Sequence, residues 1–204
     1  MPKRNLSRAA VVRAAADLID ECAGSDLKLA DLAARLGVRV PSLYNHVDSA
    51  DDLKAGIALY GTEELGRRLG QAAIGRSGED ALWAIADAYR GFARERPGLY
   101  PLTLRAPDPE EAERIAASDE IIAILRRVLE PLGYIDDRAI HVIRGVRSLL
   151  HGFSSLELAG GFGMPLDVDE SFRQLIASYL SGLRDETDAA ATIGGRDLGD
   201  VARS

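Results

Sequence analysis

Residues 32–47, Leu-Ala-Ala-Arg-Leu-Gly-Val-Arg-Val-Pro-Ser-Leu-Tyr-Asn-His-Val, leave this chain few ways to fold. They read as two short helices joined by a tight turn, the arrangement that sets a helix into the DNA major groove. Ala33 stands where the helices cross, and a larger side chain there would hold them apart. Gly37 can take the left-handed conformation that ends the first helix. Val38 and Leu43 are apolar plugs that hold the second helix to the first. Pro41 suits the first turn of that second helix, where a missing N–H costs nothing. A generic helical hairpin is the rival reading, but it has no use for so many separate geometric demands.

The rest of the chain has helical character, rich in Ala, Leu, Arg and Glu without sustained alternation, so the expected fold class is all-α. A first helix should run over residues 7–22, capped by Ser7, with Val11, Ala14, Ala15, Leu18 and Ile19 as its apolar stripe and Gly24 as its stop. Further helices are expected at 29–36, 41–47, 49–69, 79–96, 110–130, 137–159 and 167–184, with a short one near 99–105. Ser49 with Asp52 makes a capping-box start for the fourth. Three parts follow: a three-helix DNA-binding head over residues 1–48, a helical body over 49–184, and a mobile tail over 185–204.

If the third helix enters the groove, Arg39, Val40, Ser42 and Asn45 reach base edges. Arg39 can pair bidentately with guanine and Asn45 with adenine, while Val40 and Pro41 offer apolar surface to a thymine methyl. Lys54, early in the fourth helix, is a phosphate partner, although Asp48, Asp51 and Asp52 lie close by and oppose one. Net charge is −7, but residues 1–47 carry +2 and residues 48–204 carry −9, so a slightly basic head sits on an acidic body.

The run Val38-Arg39-Val40-Pro41-Ser42-Leu43-Tyr44-Asn45-His46-Val47, followed by Ser49 and Asp51-Asp52-Leu53, resembles the tetracycline-repressor (TetR) family of transcriptional regulators. The likeness is strongest over residues 7–60 and looser beyond, where a His151-Gly152 element is similar to one branch of the family's C-terminal domains. The resemblance implies that Tyr44 and His46 hydrogen-bond phosphates and fix register. It also implies a homodimer that binds a palindromic operator and is released by a small-molecule effector. Four positions depart from the family pattern. Ala50 replaces a common lysine, Val47 an aromatic, Lys28 a capping Ser or Thr, and Ala30 a basic or polar residue. The changes at Ala50 and Ala30 each remove a phosphate contact, which shifts weight to the Lys3, Arg4 and Arg8 arm.

Candidate effector-lining residues are Trp83, Tyr89, Phe92, Tyr100, Leu102, His151, Phe153, Phe162 and Met164; for any one of them alone, plain core packing is the favoured reading. A lining this apolar suits an apolar or aromatic effector. The 137–159 helix is apolar on most sides and the 167–184 helix carries one broad stripe. Ile143, Val146, Leu150, Phe172, Leu175, Ile176, Tyr179 and Leu183 are therefore candidates for a dimer interface, against the alternative of a purely intramolecular core.

Other classes are disfavoured. His141 and His151 lie about 280° apart around a helix and cannot share a metal, and no Glu-x-x-His pair exists for a di-iron bundle. His151, Ser154, Ser155 and Glu157 include hydrolase residue types, but there is no nucleophile elbow and no phosphate-binding glycine loop. No enzyme, cofactor or metal is expected. With Cys22 the only cysteine, no internal disulfide can form. No apolar run reaches membrane-spanning length and the start lacks a signal-peptide core, so the expected location is the cytoplasm. The non-catalytic alternative is a helical dimer that binds a ligand or protein without recognising DNA.

Overall fold

In the computed structural model, residues 6–22 and 27–196 are described, with side chains to residue 186. Among the described residues the fold is all helical: α1 Arg8–Glu21, α2 Leu29–Leu36, α3 Val40–Leu43, α4 Ala50–Ala73, α5 Gly78–Glu95, α6 Ala112–Leu129, α7 Asp136–Leu158 and α8 Val168–Arg196. Short 3-10 turns follow α5 at Tyr100–Thr103 and α6 at Glu130–Leu132. Gly24, Lys3, Arg4 and residues 197–204 of the expected tail lie outside the described residues.

The helix starts follow from local chemistry. Ser7 accepts from the Ala10 amide and caps α1. At α4 the Asp52 amide donates to Ser49 Oγ at 3.0 Å, and the Asp52 carboxylate reaches back to the Asp48 amide at 2.9 Å. That is a capping box displaced by one residue. Lys28, as the N-cap of α2, makes no side-chain bond. Gly37 closes α2 at φ 69°, with Val38 N donating to Ala33 O and Gly37 N to Ala34 O, the paired bonds of a Schellman stop.

Two expected boundaries are corrected. The third helix does not run regularly from Pro41 to Val47. It starts one residue earlier, at Val40, and its α-helical part ends at Leu43. Beyond Leu43 the chain tightens, with Asn45 N bonding Ser42 O and His46 N bonding Leu43 O before Val47 N returns to an i−4 bond. The last helix continues to Arg196, past the end at residue 184 read from its apolar stripe. Ala189-Ala190-Ala191 are strong helix formers, so backbone propensity carries the helix on after the stripe stops.

The chain divides into two compact units. The first comprises Met1–Gln71 with Ala88–Ile122, the second Ala72–Asp87 with Ala123–Ser204. In the first, Val11, Ala15 and Ala16 of α1 are buried, as are Leu32, Leu43, Leu53 and Ile57. Its polar centre is Arg96, which meets Asp20 at 2.5 Å, Asp17 at 3.2 Å and Glu64 at 3.5 Å. Arg68 joins Glu64 at 2.8 Å and Glu95 at 2.7 Å. Burial alone would lower the pKa of Arg96, but the carboxylates of Asp20 and Glu64 outweigh it and hold the guanidinium charged. In the second unit, Tyr134 donates to the Leu183 carbonyl at 2.8 Å and Arg184 pairs with Glu79 at 3.2 Å. Gly145 lets Tyr179 approach α7 and donate to the Val142 carbonyl at 3.3 Å.

Candidate nucleic-acid interface

The α2–α3 element divides its side chains cleanly. Leu32, Ala33, Leu43 and Val47 face inward and are buried, which fixes α3 by its apolar side. The outer side mixes polar and small apolar groups: Arg39, Pro41, Tyr44 and Asn45 are exposed, and Val40, Ser42 and His46 are half-buried. Arg39 is the extended N-cap of α3, Ser42 lies within the helix and Asn45 sits two residues past its end. Tyr44 keeps 48% of its surface exposed although it adjoins the fully buried Leu43. A tyrosine used only for packing between helices would be covered. Burial of Leu43 and Val47 thus leaves the candidate DNA-contacting residues on the outer side.

The cations around this face differ in how they are held. Lys54 is exposed and stands 3.8 Å from Asp51, a loose contact. Arg35 meets Glu21 at 2.6 Å, tying α2 to α1. Arg8 spans both oxygens of Asp52, at 2.5 and 2.8 Å. The Arg8 hydrogen bonds and the Asp48 amide hold the Asp52 carboxyl below its usual range. In the sequence, Arg8 reads as part of a basic arm, and Asp52 as a cap that also opposes a nearby phosphate. Their partnership spans 44 residues and leaves no local signal.

The effector candidates do not form one group. Tyr89, Phe92 and Tyr100 are buried together in the first unit, the two tyrosine rings meeting edge-on at 5.8 Å with their hydroxyls 3.2 Å apart. Leu102, in the same unit, is half-buried. In the second unit Phe153 packs on Phe162 at 4.8 Å and on Phe172 at 5.0 Å. There His151 Nδ1 lies 3.1 Å from Ser155 Oγ. Trp83 is half-buried, and Met164 is 74% exposed, so it does not line an interior.

Comparison with known proteins decides the family. The chain is 35% identical over 183 residues to YobS, an HTH-type transcriptional regulator of Bacillus subtilis strain 168, covering 89% of this chain and 95% of that one. It is 31% identical over 188 residues to Rv0681, an HTH-type transcriptional regulator of Mycobacterium tuberculosis H37Rv, covering 92% and 86%. A family model described as "Tetracyclin repressor-like, C-terminal domain" matches residues 82–179. The chain belongs to the TetR family of transcriptional regulators. It is a regulator, not an enzyme. Its fold is shared by a TetR variant from Acinetobacter baumannii AYE solved in complex with minocycline, at TM-score 0.68 and 20% identity over 90% of this chain and 99% of that one. No helix among the described residues is long and apolar enough to cross a membrane.

The dimer candidates of this TetR regulator divide by burial. Ile143, Leu150, Phe172, Ile176 and Leu183 are buried within the single chain, and Val146, Leu175 and Tyr179 are half-buried. A second copy could touch little of the first five. The outer sides of the same helices carry Arg144, Ser148, Gly152 and Leu156 on α7 and Gln174, Ser178 and Gly182 on α8, all exposed. The apolar stripe marked the monomer core.

Proposed function

We propose that this TetR regulator binds a palindromic operator as a homodimer and is released from it by a small-molecule effector. The observation that carries the reading is the outward presentation of Arg39, Ser42 and Asn45 on a helix anchored by buried Leu43 and Val47. Arg39 and Asn45 read base edges, Val40 and Pro41 contact a thymine methyl, and Ser42 supports either base. Tyr44, His46 and Lys54 position the head on phosphates. The domain roles are a reading head over residues 1–48 and an effector and dimer body from residue 49 onward. The cell compartment is the cytoplasm, where the operator is.

Two copies join through the outer faces of α7 and α8, where exposed Leu156 supplies apolar area and Gly152 and Gly182 leave open space for close approach. Pairing sets two heads about 34–36 Å apart, one turn of DNA. An effector that favours a conformer with a different spacing weakens DNA binding by its differential affinity for that conformer. The buried aromatic group Tyr89–Phe92–Tyr100, and the cluster in which buried Phe153 and Phe172 meet the exposed Phe162, suit an apolar or aromatic molecule. A gel shift with the gene's own upstream DNA tests the reading. Sharp, salt-sensitive binding to an inverted repeat, with a two-chain mass by light scattering, is expected. Equal affinity for unrelated DNA would refute it.

A further inference from the structure

We propose that Arg8 is a phosphate-contacting residue of the DNA complex and that Asp52 is its built-in competitor, so that binding exchanges one carboxylate for one phosphate. The inference rests on the reading of α3 as the groove helix and adds to it a residue pair that tunes affinity. Arg8 opens α1, yet its guanidinium is carried to the start of α4 by a two-point fork on Asp52 at 2.5 and 2.8 Å. Asp52 also accepts from the Asp48 amide at 2.9 Å. Asp48 follows directly on Tyr44-Asn45-His46-Val47, so the fork holds Arg8 beside the corner through which α3 leads into α4.

Three features make this pair an exchangeable one. It is open to water, with 48% of the Arg8 side chain and 26% of the Asp52 side chain exposed, so either partner can be replaced without opening the core. A phosphate offers guanidinium the same two-oxygen geometry that a carboxylate does. The α4 start also carries Asp51, which already engages Lys54, and an uncharged Ala50, so no cation there faces DNA unopposed by a carboxylate. When Arg8 turns to a phosphate, Asp52 is left ionised close to the duplex and cancels most of the gain. Removing that one negative charge should expose the full contact.

The test uses the full chain and a duplex from its own upstream region, with affinity measured between 50 and 200 mM KCl. Asp52→Asn keeps an oxygen for the Asp48 amide. It should bind tighter at 50 mM and show a log K against log salt slope steeper by about 0.9, one additional phosphate. That slope makes its advantage shrink by about 3.5-fold across the salt range. Adding Arg8→Ala to Asp52→Asn should return the slope to that of the unaltered protein. Arg8→Ala alone should weaken binding to operator and random DNA alike, and it carries the test if Asp52→Asn does not fold. An Asp52→Asn protein with unchanged affinity and slope overturns the proposal, as does Arg8→Ala that binds like the parent. If the unaltered protein shows no operator preference, the groove-helix reading itself has failed.

Discussion

Gly98→Ala should be among the most damaging single-methyl changes in the first unit. A Cβ at Gly98 would fall 2.6 Å from the Ile19 carbonyl carbon, closer still to its oxygen, and 2.7 Å from Ile19 Cγ2. Two of those three atoms are α1 backbone and cannot rotate away. The turn holding Gly98 and α1 must therefore separate. Separation stretches both bonds from the Asp20 carboxylate to the Gly98 and Leu99 amides, each 2.9 Å long, and loosens the contact between Arg96 and Asp20. Overpacking of this kind costs about 1–3 kcal/mol, and hydrogen bonds to a charged group are each worth about 1.5–3 kcal/mol. Separation relieves the clash in proportion to the bonding it loses, so the two do not sum in full; about 3–4 kcal/mol is expected. For a chain of this size that is a fall in Tm of roughly 10 °C. Urea unfolding followed by circular dichroism, with an unchanged m-value, measures it. Gly91→Ala is the control: a Cβ at Gly91, within α5, meets nothing within 4 Å. That change should be stabilising by about 0.5–1 kcal/mol. A Gly98→Ala protein within about 1 kcal/mol of the parent would refute the backbone-contact argument.

Arg39→Ala should relax preference at one operator position at a cost of about 1–3 kcal/mol, whereas Tyr44→Phe should weaken all sequences nearly equally; competition against single-base operator variants separates the two. Leu156→Glu on the outer side of α7 should give single chains in sedimentation with little change in helicity, because Leu156 is exposed in the monomer. Acid should destabilise the fold through depressed carboxyls. Asp52 is lowered by its bonds from Arg8 and the Asp48 amide, and Glu111 by the Asp108 amide and Arg105. A carboxyl with a depressed folded pKa adds stability above its unfolded value, near pH 4, and loses it as pH falls through the folded value. Tm should therefore hold from pH 7 to about 5 and drop below 4, with a shallower drop for Asp52→Asn.

What the sequence made legible was what its residues decide locally. Leu29–Leu36 was readable to the residue because Gly37 supplies a stop that only a left-handed conformation explains. Ser7 and Ser49 announced their helices through short-range caps. The inward and outward sides of α3 followed from where Leu43 and Val47 must go. The shortness of α3 did not follow, because its last turn is fixed by tightening toward α4 and not by its own propensities. Five of the eight dimer candidates are covered within one chain for a related reason. Hydrophobic period shows that a face is apolar, not whether its neighbour is the same chain or a second copy, and Phe172 and Ile176 turned out to be buried in the first. Likewise Asp20, 78 residues from Gly98, reads as one more surface acid until the chain has folded around it.

The ion pairs bear on how an acidic protein of net charge −7 can approach DNA. Two of the cations near the reading face are neutralised at close range, Arg8 by Asp52 and Arg35 by Glu21, and Lys54 loosely by Asp51. Internal pairing of this kind holds α1, α2 and α4 together, but it also lowers the sequence-independent attraction that comes from unpaired positive charge. Under the proposed reading, weak general attraction would leave base contacts from Arg39 and Asn45 a larger share of total affinity. Such an arrangement would discriminate operator from bulk DNA by suppressing the bulk term rather than by adding base contacts. The measurable consequence is a shallow salt slope for random DNA, steepened by loss of any one of those carboxylates.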